Sequence, residues 1–182
     1  MGTTATAPKK EKPLTSTMED YLEVIYDLDN EKKVVRVKDI ASRMDVKMPT
    51  VTSMLRALNE RKLVNYEKHE YVRLTEQGAG VGKEMRRRHG VLFSFLTDIL
   101  KIDGPTADKE SCKMEHTLSE TTLKSLTDFM EFIQTCPRTG ESWLNSFEEF
   151  RKVGHDVDKC DICSEKFPCW LDQQQKADAM KS

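Results

Sequence analysis

The sequence predicts a mostly α fold: an N-terminal winged helix-turn-helix followed by an all-helical domain. Three observations carry that prediction. Two short amphipathic segments joined by a tight turn precede two short strand-like runs, and from about residue 75 to 133 apolar residues recur at helical spacing. Residues 32–73 hold eleven Lys and Arg against five Asp and Glu, a local +6 in a chain whose net charge is −2. Such a basic segment in a nearly neutral protein fits a surface that faces phosphates. The 182 residues, 37% of them apolar, allow one domain or two small ones with a packed core. No apolar run approaches the ~20 residues that a bilayer span requires, so no membrane partner is expected.

The elements follow in order. Residues 1–15 are polar and rich in Thr, Lys and Pro, without the apolar stretch of a secretory signal, so they read as a disordered arm of a cytoplasmic protein. A first helix is expected over about 16–28, opening at a Ser/Thr cap, with Leu22, Ile25 and Tyr26 turned inward. Residues 36–44 form a second, with Ile40, Ala41 and Met44 on its inner side, and 45–48 make the turn. Pro49 suits the first turn of the third helix, which continues to about Arg61 with Val51, Leu55 and Leu58 facing the core. The runs 63–66 and 71–74 read as a β-wing with His69 at its polar tip, completing a unit over 16–75.

A long helix is expected over about 75–102, weakened near its start by Gly78 and Gly80 and carrying an apolar stripe of Leu92, Phe95, Leu96 and Ile99. Asp103-Gly-Pro105 breaks it, the helix of Cys112 follows, and Ser119 caps another that bears Leu123, Leu126, Phe129, Met130 and Ile133. These helices, over 76–135, supply a core or a dimer interface. Residues 136–182 form a cysteine-rich tail, acidic over 141–172.

Cys112-Lys-Met-Glu115-His116 places a thiol, a carboxylate and an imidazole at i, i+3 and i+4. On a helix those side chains share one face, so a single metal ion could touch all three. Asp20 and Glu23 form a second pair on the first helix. The plainer alternatives are a half-buried cysteine among solvated polar residues, and an acidic solvent face made by Asp20, Glu23 and Asp27. Two ligand pairs flanking a DNA-reading unit favour a metal-sensing regulator. An enzyme is not expected, because no nucleophile, phosphate loop or substrate motif accompanies the ligands.

Met18-Glu-Asp-Tyr-Leu-Glu23, Met48-Pro-Thr-Val-Thr52, His89 after Arg86-Arg-Arg88, and Cys112-x-x-Glu115-His116 together resemble the diphtheria-toxin-repressor family of metal-activated transcription factors, over residues 16–134. The resemblance implies that Asp20, Glu23, His89, Cys112, Glu115 and His116 hold the metal. It also implies that homodimers present winged modules to a palindromic operator in double-stranded DNA, most simply as a repressor of metal-uptake genes. The short architecture and Asp20 match the manganese-responsive branch, whereas Cys112 matches the iron-responsive one. Fe2+ or Mn2+ is therefore expected, with the thiolate pulling towards Fe2+.

At the front of the third helix, Lys47, Pro49, Thr50, Thr52, Ser53 and Arg56 are the candidate DNA contacts. Short hydroxyls read bases weakly, so shape and phosphate contacts, Lys62 included, are expected to supply much of the affinity. In the tail, Cys160-x2-Cys163-x5-Cys169, with Cys136 or His155 as fourth ligand, has the spacing of a structural zinc site or an iron–sulfur cluster. The alternative function is thus a redox or iron–sulfur sensing transcription factor acting through those cysteines.

Overall fold

The computed structural model describes residues 13–32, 34–67, 71–135 and 140–153. Cys136, Cys160, Cys163, Cys169, His155 and His69 lie outside them. Helix α1 (Ser16–Glu31) is capped by Thr15, whose side chain accepts from the Met18 N–H. The expected arm therefore gives way to ordered chain before residue 15: Leu14 packs on the core and the Pro13 carbonyl accepts from Arg61.

Helices α2 (Val37–Arg43) and α3 (Met48–Glu60) meet at a turn in which Asp45 takes a left-handed φ of 52°. The Asp39 carboxylate accepts from the Arg36 N–H and so caps α2. Pro49 lies in the first turn of α3, where a backbone N–H would find no acceptor within the helix, so its missing donor costs nothing. Strands β1 (Val64–Asn65) and β2 (Arg73–Leu74) pair antiparallel, Val64 with Leu74 and Asn65 with Arg73. They are shorter than the sequence suggests, and Val72 pairs back to Val35 to anchor the wing beneath α1. Leu22, Ile25, Leu28, Ile40, Val51, Leu55, Leu58, Val64 and Val72 form one core from all these elements.

Helix α4 (Glu76–Ser94) leaves the wing directly, with Thr75 accepting from the Gly78 N–H and donating to the Lys62 carbonyl. Gly78 does more than weaken the helix. A Cβ there would stand 1.9 Å from the Leu63 carbonyl oxygen, and one at Gly82 would stand 2.5 Å from that of Leu22. These two glycines let α4 lie against the reader's backbone. The long helix ends in a π-helical turn (Phe95–Ile99) rather than running to 102. Helices α5 (Gly104–Met114), capped by Asp103, and α6 (Glu120–Thr135), capped by Ser119, follow as expected. Leu123 and Ile133 of α6 are buried, whereas Phe129 is exposed. The tail begins with an unanticipated helix, α7 (Gly140–Val153), against α6. Its helical pattern was legible in Trp143, Leu144, Phe147 and Phe150 at spacings of one, three and three. Among the described residues, no helix is long and apolar enough to cross a membrane.

Candidate metal centre

Glu115 follows the last turn of α5 and occupies its C-cap position. Its carboxylate is fully buried. Oε2 lies 3.0 Å from Nδ1 of His89, on α4, while Oε1 has no hydrogen-bond partner and stands 3.5 Å from Nε2 of His116. A buried carboxylate oxygen without a partner is costly, and a cation between the flanking donor atoms would satisfy it.

Two donor groups meet at this carboxylate. His89, Cys112 and Glu115 offer atoms within 4.8 Å of one another, and so do Asp20, Glu115 and His116. The three residues expected on one helical face are therefore divided: Cys112 joins His89, His116 joins Asp20, and Glu115 belongs to both. Glu115 keeps helical backbone angles at the C-cap, its N–H bonded to the Ser111 carbonyl, and so stays one turn beyond Cys112, whereas His116 lies in the turn past the end of α5 and joins Asp20. Arg88 holds that turn, donating to the carbonyls of Glu115 at 3.3 Å and Leu118 at 3.0 Å.

Glu23 is in neither group. It is buried, 3.9 Å from Arg86, and its carboxyl is pushed up to about 7, first by burial and then by the charge of Glu115. His89 moves the other way in charge: the Cys112 and Glu115 side chains hydrogen-bonded to its ring raise it to about 10, against the effect of burial. For His116, burial opposes the charge, but the hydrogen bond to Glu19 and the charge of Asp20 outweigh it and hold the imidazole above its ordinary value.

Two polar residues at the site escaped the sequence reading. Glu19 Oε2 lies 2.8 Å from His116 Nδ1, and Asp108 Oδ1 lies 3.2 Å from His89 Nε2. Asp108 precedes Cys112 by one helical turn, a spacing that could have flagged it. Glu19 adjoins Asp20 in a run of acids, and only the fold distinguishes them.

On the reader, Lys47, Pro49, Thr50, Ser53, Arg56 and Lys62 are exposed. Thr52 is half-buried and its hydroxyl donates to the Met48 carbonyl inside α3, which leaves only the acceptor side of that oxygen to present. Met48, an apolar side chain outside the expected contact set, is 56% exposed at the same helix start.

Known proteins match this arrangement along the chain. The family model described as the iron dependent repressor N-terminal DNA binding domain matches residues 13–72, and that of the iron dependent repressor metal binding and dimerisation domain matches residues 75–144. The chain belongs to the iron-dependent repressor family. This is the diphtheria-toxin-repressor group to which its motifs pointed, and the chain is a metal-dependent transcriptional regulator of that type. It is 35% identical over 119 residues to an uncharacterised helix-turn-helix regulator of Methanocaldococcus jannaschii, covering 65% of this chain and 95% of that one. Over 123 residues it is 35% identical to the regulator MntR of Listeria monocytogenes, covering 68% and 86%. The solved structure of the manganese regulator SloR superposes with a TM-score of 0.58 at 30% identity, over 66% of this chain and 56% of that one. This family member thus spans little more than half the length of that solved relative. The second of these family models matches as far as residue 144.

Proposed function

We propose that this regulator, as a homodimer, binds a palindromic operator in double-stranded DNA when divalent cations occupy the Glu115 centre, and that it represses metal-uptake genes. One observation carries the reading: the buried Glu115 carboxylate directs one oxygen to each of two donor groups and leaves one of them without a partner. That geometry favours two ions bridged by Glu115 over the single shared ion suggested by spacing. His89 and Cys112 would hold one, with Glu23 and Asp108 nearby; Asp20 and His116 would hold the other.

When bound, a divalent cation supplies the positive charge that lets the thiolate and carboxylates converge in a buried place. The residues themselves span the molecule. Asp20 rides on α1 of the reader, while Glu115 and His116 lie behind α5, so a complete ligand set fixes the reader against the dimerisation domain. Dimer half-sites lie about one DNA turn apart, so a fixed head spacing is what an operator recognises. Carboxylates and imidazoles suit both Fe2+ and Mn2+, and relatives named as manganese regulators support the latter. Cys112 supports Fe2+.

The test is selection of DNA duplexes with metal present, followed by anaerobic binding assays with Fe2+, Mn2+ or chelator. Binding is expected only with metal, and Glu115→Ala or His116→Ala should abolish the response at unchanged helical content. Tight specific binding by either variant in chelator, equal to wild type with metal, would refute it. For the tail, Cys160, Cys163 and Cys169 with Cys136 are proposed from their spacing to hold zinc or an iron–sulfur cluster. Unchanged metal content in a Cys160→Ser/Cys163→Ser protein would remove that proposal.

A further inference from the structure

His116 is gripped from both sides by residues of α1. Its Nε2 lies 2.7 Å from Asp20 and faces the unpartnered Glu115 oxygen at 3.5 Å, whereas its Nδ1 lies 2.8 Å from Glu19. The two ring nitrogens thus have separate neighbours, 97 residues distant in sequence on the Glu19 side. A carboxylate that accepts from one imidazole nitrogen fixes the tautomer and leaves the other nitrogen's lone pair free for a metal. Glu19 stands in the first turn of α1, and its side chain is only 26% exposed.

We propose that Glu19 is a positioning residue for the Asp20/Glu115/His116 ion: it accepts the His116 Nδ1 proton, aims Nε2 at the site, and does not itself ligate. This rests on the metal reading above. Because Glu19 sits on the reader's first helix and His116 in the dimerisation domain, the same hydrogen bond also ties ligand orientation to the placement of the reader.

The experiment uses the full chain. Mn2+ titration followed by electron paramagnetic resonance counts filled sites, Co2+ absorption reports the thiolate group alone, and nitrogen-15 NMR of the Zn2+-loaded protein reads the His116 tautomer. Glu19→Ala should weaken Mn2+ binding at one site about 10- to 100-fold, leave the Co2+–thiolate titration within about twofold of wild type, and abolish the exchange-protected His116 Nδ1–H signal. Glu19→Gln, which keeps an acceptor oxygen without charge, should fall between the two and guards against a variant that fails to fold. Wild-type Mn2+ affinity in Glu19→Ala overturns the proposal. So does absence of the Nδ1–H signal in the loaded wild type, which would mean that Nδ1 does not donate to Glu19. If instead His116→Ala binds two Mn2+ as the wild type does, the metal reading itself fails.

Discussion

At the residue scale, Glu23 and His89 give the metal-free protein an unusual pH dependence. Both have folded-state values above their ordinary ones, about 7 against 4.5 and about 10 against 6.5. The folded chain therefore holds more protons than the unfolded chain, through Glu23 between pH 4.5 and 7 and through His89 between pH 6.5 and 10. The stabilisation is complete below each unfolded value and is lost as pH rises through each folded one. The depressed carboxyls, among them Glu31 and Asp39, held down first by hydrogen bonds to Arg43 and Lys32, act oppositely and only at acid pH. Thermal unfolding in chelator should thus peak near pH 5 and fall by roughly 1–2 kcal/mol towards pH 7, a few degrees in Tm. Glu23→Gln should flatten that limb, and saturating metal should do the same, because ions displace these protons. A chelated protein whose Tm rises from pH 5 to 8 would contradict the assignment. Cys112 carries a separate prediction: Cys112→Glu exchanges sulfur for oxygen and should shift the Fe2+/Mn2+ ratio in metal-dependent DNA binding towards Mn2+. An unchanged ratio would mean that this exposed thiol is not a ligand.

At the element scale, α4 shows what pattern reading captures and what it misses. Its start at Thr75, its apolar stripe and the break at Asp103 were legible, because caps, periodicity and Pro/Gly punctuation are local. The role of Gly78 was not, because its reason lies in the Leu63 carbonyl, brought there by the wing. Gly80, two positions on, has nothing within 4 Å of its missing Cβ. The pair makes a controlled comparison. Gly80→Ala should stabilise the helix by about 0.5–1 kcal/mol, and Gly78→Ala should destabilise by roughly 2 kcal/mol or more, since backbone at 1.9 Å cannot give way. Denaturant midpoints check both, and equal effects would mean that α4 does not lie on the wing as described. The division of the Cys112 triplet is equally non-local: past the end of α5 at Met114, Arg88 reaches across from α4 to the carbonyls of Glu115 and Leu118, a contact that spacing alone does not reveal.

At the scale of the whole molecule, the fold class was legible, and of the six residues expected to hold metal, five stand in the two donor groups: Asp20, Cys112, Glu115 and His116, which short-range spacing marked, and His89, which the family's motif added. How they divide between two donor groups was not legible, for that depends on how α1, α4 and the turn after α5 converge. The same convergence separates two kinds of DNA-binding variant. Lys47 and Arg56 are exposed on the reader and outside both donor groups, so a charge they present to DNA would act on phosphates whatever the sequence. In a dimer each such change counts twice. Lys47→Ala should therefore reduce the slope of log K against log salt by about 2, weaken binding to all duplexes alike, and leave the metal concentration for half-activation unchanged. Glu115→Ala should do the reverse, keeping the salt slope of non-specific binding while losing activation by metal. Non-specific duplex suffices for the salt series, so the operator need not be known. If Lys47→Ala leaves the slope intact, α3 does not present its N-terminal end to the phosphates; if it shifts the metal response, the reader and the Glu115 centre are coupled through more than ligand placement.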